Sequence, residues 1–213
     1  WVSRGSGQEH LTSIRSPVLT GPGACGSFLI LEDGIPVRPN GVCNVNGLFE
    51  TQTEIASSIE VIRGPASARY GSNAMHGVIN VVSKPIEDIN TISSNIGPNG
   101  YTNFKSSIGN SDDWRINSFF STDDGFREES GYHQQKLQIK NRFNLYNSDA
   151  IFNLRLTNLN QETAGYISGK DVYKDRRQSK ENLNPEAYRD AFSLKSSLKF
   201  SLGPKDKIVS FIP

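Results

Sequence analysis

The feature that most constrains this chain is a two-residue alternation of apolar and polar side chains, which begins after about residue 90. In the stretch 192–202, Phe192 and Leu194 fall on one face. Lys195 and Lys199 fall on the opposite face. Because successive side chains of a β-strand point to opposite faces, this period predicts strands with one apolar and one polar face.

The same alternation predicts six antiparallel strands, interrupted once where Phe119 falls on the polar side. A soluble sheet with one buried face has the same period. These runs are long, however, and Lys, Arg and Gln extend through the middle of their polar faces. The pattern therefore favours a transmembrane β-barrel, with apolar side chains towards lipid and polar side chains towards the lumen. The predicted strands are 101–109, 114–123, 132–147, 150–160, 192–202 and 207–212.

Short and long connections alternate between these strands. Residues 147–149 form a tight turn, as expected on the periplasmic side of a barrel. The stretches 125–131 and 161–190 are long and charged, as expected of extracellular loops.

The composition excludes several classes of function. The 23 Lys and Arg residues nearly balance the 22 Asp and Glu residues, which gives no electrostatic reason to expect nucleic acid as a partner. The sequence contains no apolar run of about 18 residues, so we predict no transmembrane helix. No signal peptide is visible at the start. We find no Ser/His/Asp or Cys/His arrangement and no carboxylate pair, so we predict neither an enzyme nor a resident cofactor.

The residues before Lys84 are richer in glycine and less regular. The stretch 28–36 reads Phe-Leu-Ile-Leu-Glu-Asp-Gly-Ile-Pro, and Asp-Gly between apolar runs predicts a hairpin. Pro36 has no N–H to donate, so its strand should be short or at an edge. Further strands are predicted at 59–62 and 77–83, with a helical turn at 65–70 and a weak helix at 48–57.

Cys25 and Cys43 are the two cysteines, and the hairpin turn lies between them. Folding at that turn brings the two flanks together, so we expect a disulfide, which also indicates an oxidising compartment. The alternative is two free thiols in a reducing compartment. We predict no metal site, because the three histidines are isolated from the cysteines.

Three ordered motifs in this first part resemble those of one family. The stretch 59–65 reads Ile-Glu-Val-Ile-Arg-Gly-Pro, the stretch 67–71 reads Ser-Ala-Arg-Tyr-Gly, and the stretch 74–80 reads Ala-Met-His-Gly-Val-Ile-Asn. With the hairpin at 28–36, they are similar to the plug domain of TonB-dependent outer-membrane receptors. The resemblance covers about residues 11–83. His76 departs from the Gly that the family usually has there.

The resemblance implies a mainly β fold: a small mixed α/β plug at 1–86, then the start of a transmembrane barrel at 87–213. The family's barrel has twenty-two strands, so the chain is expected to be a fragment. It is also expected to lack the signal peptide, the TonB-box segment and the first part of the plug.

The resemblance further implies active uptake across the outer membrane of a Gram-negative cell, for example of an iron–siderophore. The implied partners are TonB with its inner-membrane energising proteins, the outer-membrane lipid and a small ligand such as a metal chelate. Cobalamin, haem or glycan uptake, signal transduction and a soluble β-rich binding protein remain as alternatives.

Candidate site residues follow from the match. Glu60 and Arg63 are expected to hold the plug to the barrel wall. The expected structural positions are Gly34, Gly64, Pro65, Gly71 and Gly77. The expected ligand contacts lie in two apical plug loops and comprise Arg38, Asn40, Asn44, Asn46, Ser72 and Asn73.

The disulfide is testable by electrophoresis. A Cys25–Cys43 bond closes a loop of roughly twenty residues and is worth about 3 kcal/mol in the chain-entropy model. We therefore expect reductant to change the mobility of the denatured protein. Equal mobility with and without reductant, together with two titratable thiols, would rule the bond out.

Overall fold

The computed structural model describes residues 2–4, 10–12, 14, 28–39, 47–145, 148–201 and 208–211. The predicted disulfide lies outside these residues, as do three predicted ligand residues, Asn40, Asn44 and Asn46. The chain divides into two compact units, Trp1–Lys84 and Pro85–Pro213.

The first unit contains two small sheets. One pairs β1 (Val2–Arg4) with β2 (His10–Thr12). The other has four strands in the order β4-β3-β6-β5. Its strands are β3 (Leu29–Glu32), β4 (Ile35–Pro36), β5 (Ala56–Arg63) and β6 (Gly77–Ser83). Helix α1 (Ser67–Tyr70) lies between β5 and β6 in sequence.

The predicted hairpin is confirmed, because β3 and β4 pair antiparallel across the Asp-Gly turn. Asp33 and Gly34 both have positive φ, at 52° and 82°, which explains the choice of Asp-Gly. Pro36 ends the two-residue strand β4 at the sheet edge, as predicted.

The four-stranded sheet packs on both faces, because β3 is buried along its whole length. One cluster combines Ile30 and Ile79 with Phe28 and Ile14. The other cluster lies on the opposite face, since it contains the neighbours of Ile30 in β3. It comprises Leu29, Leu31, Ala74 and Val78.

The helix predicted at 48–57 is wrong. Two 3₁₀ turns, Gly47–Glu50 and Thr53–Ile55, occupy this stretch, and β5 begins at Ala56. The hydroxyl of Thr51 donates to the Leu48 carbonyl at 2.6 Å, and the Gln52 N–H donates to the Glu32 carboxylate at 2.7 Å. These bonds occupy the backbone groups that a continuous helix would pair internally.

The second unit is one antiparallel sheet of seven strands in sequence order, and all six predicted strands occur in it. The strand missed is Thr91–Ile96, whose only apolar residues are its two isoleucines. Among the described residues, no helix is both long and apolar enough to span a bilayer. The strands are β7 (Thr91–Ile96), β8 (Thr102–Gly109), β9 (Trp114–Asp123), β10 (Tyr132–Leu145), β11 (Ser148–Glu162), β12 (Tyr188–Ser201) and β13 (Ile208–Phe211).

The two ends of this sheet differ. Connections 97–101, 124–131 and 163–187 lie at one end, which we call the long-loop end. Connection 110–113 and the paired residues Leu145 and Ser148 lie at the other, which we call the short-turn end. The second unit therefore has the alternation of long and short connections that the sequence predicts.

The sheet inverts the polarity of a soluble protein. On the face we call apolar, Ile116 is 38% exposed and Leu194 is 60% exposed. On the opposite face, which we call polar, Gln134 and Gln138 are fully buried. A sheet that exposes its apolar side chains and buries its amides suits an apolar surrounding medium.

Substitution of two glycines in the first unit would cause strain of different kinds, conformational at Gly34 and steric at Gly77. A Cβ at Gly34 would meet nothing within 4 Å, whereas one at Gly77 would lie 2.5 Å from the Ile62 carbonyl oxygen. We expect Gly34→Ala to cost about 1 kcal/mol because of its positive φ. Gly77→Ala should cost more, about 1–3 kcal/mol, because its neighbours must move. Thermal unfolding of the full-length protein tests this order, and an equal loss at both positions would contradict it.

Candidate functional site

The two predicted ligand loops emerge at the same end of the four-stranded sheet. Strands β3 and β6 run parallel, with Leu29 paired to Val78. The segment 64–76 joins β5 to β6 at the end where Arg63 pairs with Gly77. The chain after β4 returns to this end too, where the Val37 N–H donates to the Ile30 carbonyl at 3.0 Å. We call residues 37–39 and 64–76 the loop end.

The described ligand candidates differ in accessibility. Arg38 forms an ion pair with Glu50, and both side chains are partly buried. Ser72 is exposed, whereas Asn73 is only 4% exposed. Ser72 is therefore the most accessible of the three, and Arg38 can contact a ligand only while already bound to a carboxylate.

The segment 64–76 is held in shape by its own backbone. The Gly64 N–H donates to the His76 carbonyl at 3.0 Å, and the Ala66 N–H donates to the Ala74 carbonyl at 2.9 Å. Gly64 and Gly71 both have positive φ, at 133° and 92°. These two predicted structural glycines therefore permit backbone conformations that residues with a Cβ rarely adopt.

The opposite end of the sheet is closed by a side-chain network on the hairpin turn. The Asp33 carboxylate accepts from the N–H and the hydroxyl of Ser83, at 2.9 and 2.5 Å. The Gly34 N–H donates to the Asn80 side-chain oxygen, and the Asn80 side-chain amide donates to the Glu60 carboxylate, both at 2.9 Å. The turn is thus fixed to the last strand of the unit.

Glu60 and Arg63 do not act as a pair within their strand. They are three positions apart in β5, so they lie on opposite faces, and both are exposed. Ile59 and Val61 of this strand are about half exposed as well, at 50% and 53%. The role of Glu60 and Arg63 in holding a barrel wall remains a prediction.

In the second unit, the polar face is strongly basic. Among the described strands, two acidic residues lie on this face, Asp123 and Asp149, and both are near strand ends. The basic residues on the same face number nine: Lys105, Arg115, Lys136, Lys140, Arg142, Arg155, Arg189, Lys195 and Lys199.

Several of these cations are direct neighbours across the strands. Arg115 is registered opposite Lys140, and Arg155 is registered opposite Lys195. Like charges in directly opposed positions destabilise a sheet.

Phe119, which interrupts the alternation, lies on this basic face. It is 5% exposed and is registered between Lys105 and Lys136. The Lys105 ammonium lies over its ring, 5.7 Å from the centroid. The ring face attracts a cation, so Phe119 stabilises the Lys105 ammonium on this face.

Arg115 holds the segment that enters the sheet. Its guanidinium donates to the carbonyls of Glu87 and Ile89, at 2.8 and 2.7 Å. It also donates to the Ser107 hydroxyl from two nitrogens, at 3.1 and 2.7 Å. The side chain is 1% exposed, and besides these neutral acceptors its guanidinium lies 3.9 Å from the Glu87 carboxylate.

Side chains of the entering segment, residues 87–90, also accept hydrogen bonds from the adjacent turn. The Asp88 carboxylate accepts from the Ser111 N–H, and the Asn90 side-chain oxygen accepts from the Gly109 N–H, both at 2.7 Å. Together with Arg115 these bonds fix residues 87–90 to the short-turn end. We call this arrangement the connector clamp.

At the long-loop end, one arginine joins two loops. Arg127 donates to the carbonyls of Ala164 and Gly165, at 3.0 and 2.5 Å, and twice to the carbonyl of Glu181, at 3.0 and 2.5 Å. Because the guanidinium is planar and rigid, these bonds set the distance between the loops. Sequence analysis placed Arg127 in a loop without this role, since such long-range backbone contacts leave no local signal.

The described side chains offer positive charge and hydrogen-bond donors rather than metal ligands. Within the ranges described, no three His, Cys, Asp or Glu side chains are grouped to hold a metal ion.

Comparison with known proteins gives a family match for the first unit and a fold for the chain as a whole. Residues 3–78 match the family model of the TonB-dependent Receptor Plug Domain. Among solved structures, the chain resembles the ferric citrate transporter FecA at 19% identity, over 96% of this chain and 33% of that one, with a TM-score of 0.66. It also resembles the ferric yersiniabactin uptake receptor FyuA of Yersinia pestis, at 14% identity over 99% and 35%, with a TM-score of 0.66.

A third similar structure is the ferric-catecholate import receptor Fiu of E. coli K12, at 18% identity and a TM-score of 0.59, over 95% of this chain and 32% of that one. The chain spans about a third of the length of these structures. At these identities the structural likeness establishes the fold of the chain and no more. Residues 3–78 carry the plug domain of TonB-dependent receptors, and the sheet that follows shares the fold of the solved structures named here.

Proposed function

We propose that this chain belongs to an outer-membrane receptor for active, TonB-driven uptake of a scarce or bulky substrate such as an iron–siderophore, in a Gram-negative cell. The observation that carries the proposal is the succession of a plug domain and a sheet whose apolar face is exposed. The similar structures named above are a transporter and import receptors for ferric chelates.

The polarity of the sheet supports a membrane location. Side chains such as Phe104 and Phe120 are 41% and 39% exposed on the apolar face. A soluble protein rarely leaves so extended an apolar surface open to water. The short-turn end then faces the periplasm and the long-loop end faces the outside.

The loop end of the plug is the proposed ligand surface. Ser72 is exposed there, and Arg38 can add a guanidinium beside Glu50. Asn40, Asn44 and Asn46 complete this proposal from the family resemblance, and Asn73 does so from a buried position. Glu60 and Arg63 are proposed to hold the plug to the barrel wall.

Energy coupling would place a pulling force on the segment that joins the plug to the barrel. TonB, driven by its inner-membrane partners, is proposed to pull on the plug from the periplasm. The connector clamp would resist that load where the chain enters the barrel, because Arg115 binds two carbonyls of this segment.

Growth assays test the uptake function. A deletion strain should lose growth on one member of a panel of iron and cobalamin sources, and the full-length gene should restore it only when TonB is present. Growth that is unaffected on every source would direct the search to glycan or peptide substrates. Solubility of the full-length protein without detergent would contradict the membrane location.

Protease sensitivity tests the connector clamp. Hydrogen bonds to a charged group are worth about 1.5–3 kcal/mol each, so Arg115→Met should loosen residues 87–90. We expect faster cleavage after Glu87 by a glutamate-specific protease acting on the full-length receptor in detergent.

Arg142→Met is the matched control for this experiment. Arg142 also lies at the short-turn end, but its side chain reaches the Ser111 and Asp112 carbonyls only at 3.3 and 3.5 Å. Cleavage at equal rates in the two variants would contradict the clamp.

A further inference from the structure

A row of buried polar side chains crosses three neighbouring strands of the second unit. Ser107 of β8 is registered opposite Asn117 of β9, which is registered opposite Gln138 of β10. Their exposed fractions are 1%, 0% and 0%. The Ser107 hydroxyl donates to the Asn117 side-chain oxygen at 2.5 Å, and the Asn117 side-chain amide donates to the Gln138 side-chain oxygen at 2.9 Å. We call these three residues the amide row.

Arg115 of the connector clamp sets the direction of the hydrogen bonds in the amide row. Its guanidinium has only donors, and two of them reach the Ser107 hydroxyl oxygen, at 3.1 and 2.7 Å. A hydroxyl oxygen has two lone pairs, so its own hydrogen is left to bind Asn117. Asn117 must then present its NH₂ group to Gln138. Each bond therefore donates away from the clamp, and the row ends on the NH₂ group of Gln138.

The end of the amide row is a buried donor. Among the described residues, the Gln138 side-chain nitrogen makes no hydrogen bond, and this side chain is fully buried. The next residue in register is Arg155, whose guanidinium carries only donors and cannot accept from it. A buried donor is costly until it is satisfied. This position therefore favours an oxygen acceptor, such as a carbonyl or a carboxylate, and disfavours a cation.

An acceptor at this end strengthens the bonds behind it. Hydrogen bonds in a chain polarise one another, so an amide that donates becomes a stronger acceptor at its own oxygen. An acceptor on Gln138 thus strengthens the bond from Asn117, and this in turn strengthens the bond from Ser107. The Ser107 oxygen then holds the guanidinium more firmly. Because the guanidinium is planar and rigid, this also fixes the nitrogens that bind the Glu87 and Ile89 carbonyls.

We propose that the amide row regulates the connector clamp from the polar face of the sheet: a carbonyl or carboxylate oxygen that binds the Gln138 side-chain nitrogen tightens the clamp on residues 87–90. Ser107 and Asn117 are positioning residues, because they act on this segment through Arg115. The inference rests on the proposed function of the clamp and adds a regulatory site to it.

The first test breaks the amide row away from the clamp. In the full-length receptor in detergent, cleavage after Glu87 by a glutamate-specific protease measures how often the clamp opens. Cleavage after Glu186, in an exposed connection, is the internal reference. Asn117→Leu removes the acceptor of the Ser107 hydroxyl and should raise the Glu87-to-Glu186 cleavage ratio about fivefold, the equivalent of one neutral hydrogen bond. Asn117→Asp keeps that acceptor and should retain the wild-type ratio.

Ser106→Ala is the matched control for the first test. The Ser106 hydroxyl lies on the opposite face and bonds Ser118 at 2.7 Å, so its removal should leave the ratio unchanged. If Arg115→Met raises the ratio but Asn117→Leu behaves like Ser106→Ala, the amide row is overturned and the clamp stands. If neither Arg115→Met nor Asn117→Leu raises it, both are overturned. The growth assays report on uptake independently of either result.

The second test addresses the end of the amide row. Gln138→Leu removes the donor and should raise the cleavage ratio. A carboxylate accepts more strongly than an amide, so Gln138→Glu should lower the ratio below that of the wild type. Equal ratios in the two variants would overturn the regulation. A structure of the full-length receptor should place an oxygen about 2.7–3.2 Å from Gln138 Nε2, and a donor or a carbon atom in that position would overturn the acceptor site.

Discussion

The structure depends on the pairing of every neighbouring strand in a sheet whose apolar side chains point away from its polar groups. In a lipid environment no water can satisfy a free backbone N–H or carbonyl, so strands must pair with strands. The β10–β11 pair runs in continuous register from Tyr132 with Gln161 to Leu145 with Ser148. The alternation of side chains follows from that pairing, and it assigns each residue to the apolar or to the polar face.

The polar face combines amides and hydroxyls with nine basic side chains, and these groups find their partners in different ways. Amides and hydroxyls satisfy one another: the Ser107 hydroxyl donates to Asn117 at 2.5 Å, and Asn117 donates to Gln138 at 2.9 Å. Cations cannot pair in this way. Arg115 instead uses backbone carbonyls, and Phe119 offers Lys105 a ring. Arg115 and Lys105 thus both bind neutral groups of the second unit.

The sequence predicted those features that local pattern determines. The Asp33-Gly34 turn requires positive φ, which Asp-Gly favours, and the two-residue period indicates a strand. Both features can therefore be predicted from the sequence alone. The segment 48–57 was misjudged because a long-range bond from Gln52 to Glu32 overrides local helical spacing.

The missed strand β7 shows the same limit. Thr91–Ile96 has few apolar residues, and its pairing with β8 defines it more than its own side chains do. For the site, the sequence led to the expectation of two apical ligand loops, and the strand register shows that both emerge at the same end of the four-stranded sheet. The burial of Asn73 and the Arg127 bonds depend on contacts between distant residues, which spacing alone does not reveal.

The connector clamp also limits the distance between the end of β6 and the residues that Arg115 binds. Between Ser83, the last residue of β6, and Glu87, the first residue whose carbonyl Arg115 binds, the chain has only three residues. A fully extended chain gains about 3.5 Å per residue, so these two positions can separate by no more than about 14 Å. While β6 stays folded and the clamp stays closed, the end of β6 can therefore move no further than this distance from the residue that Arg115 binds.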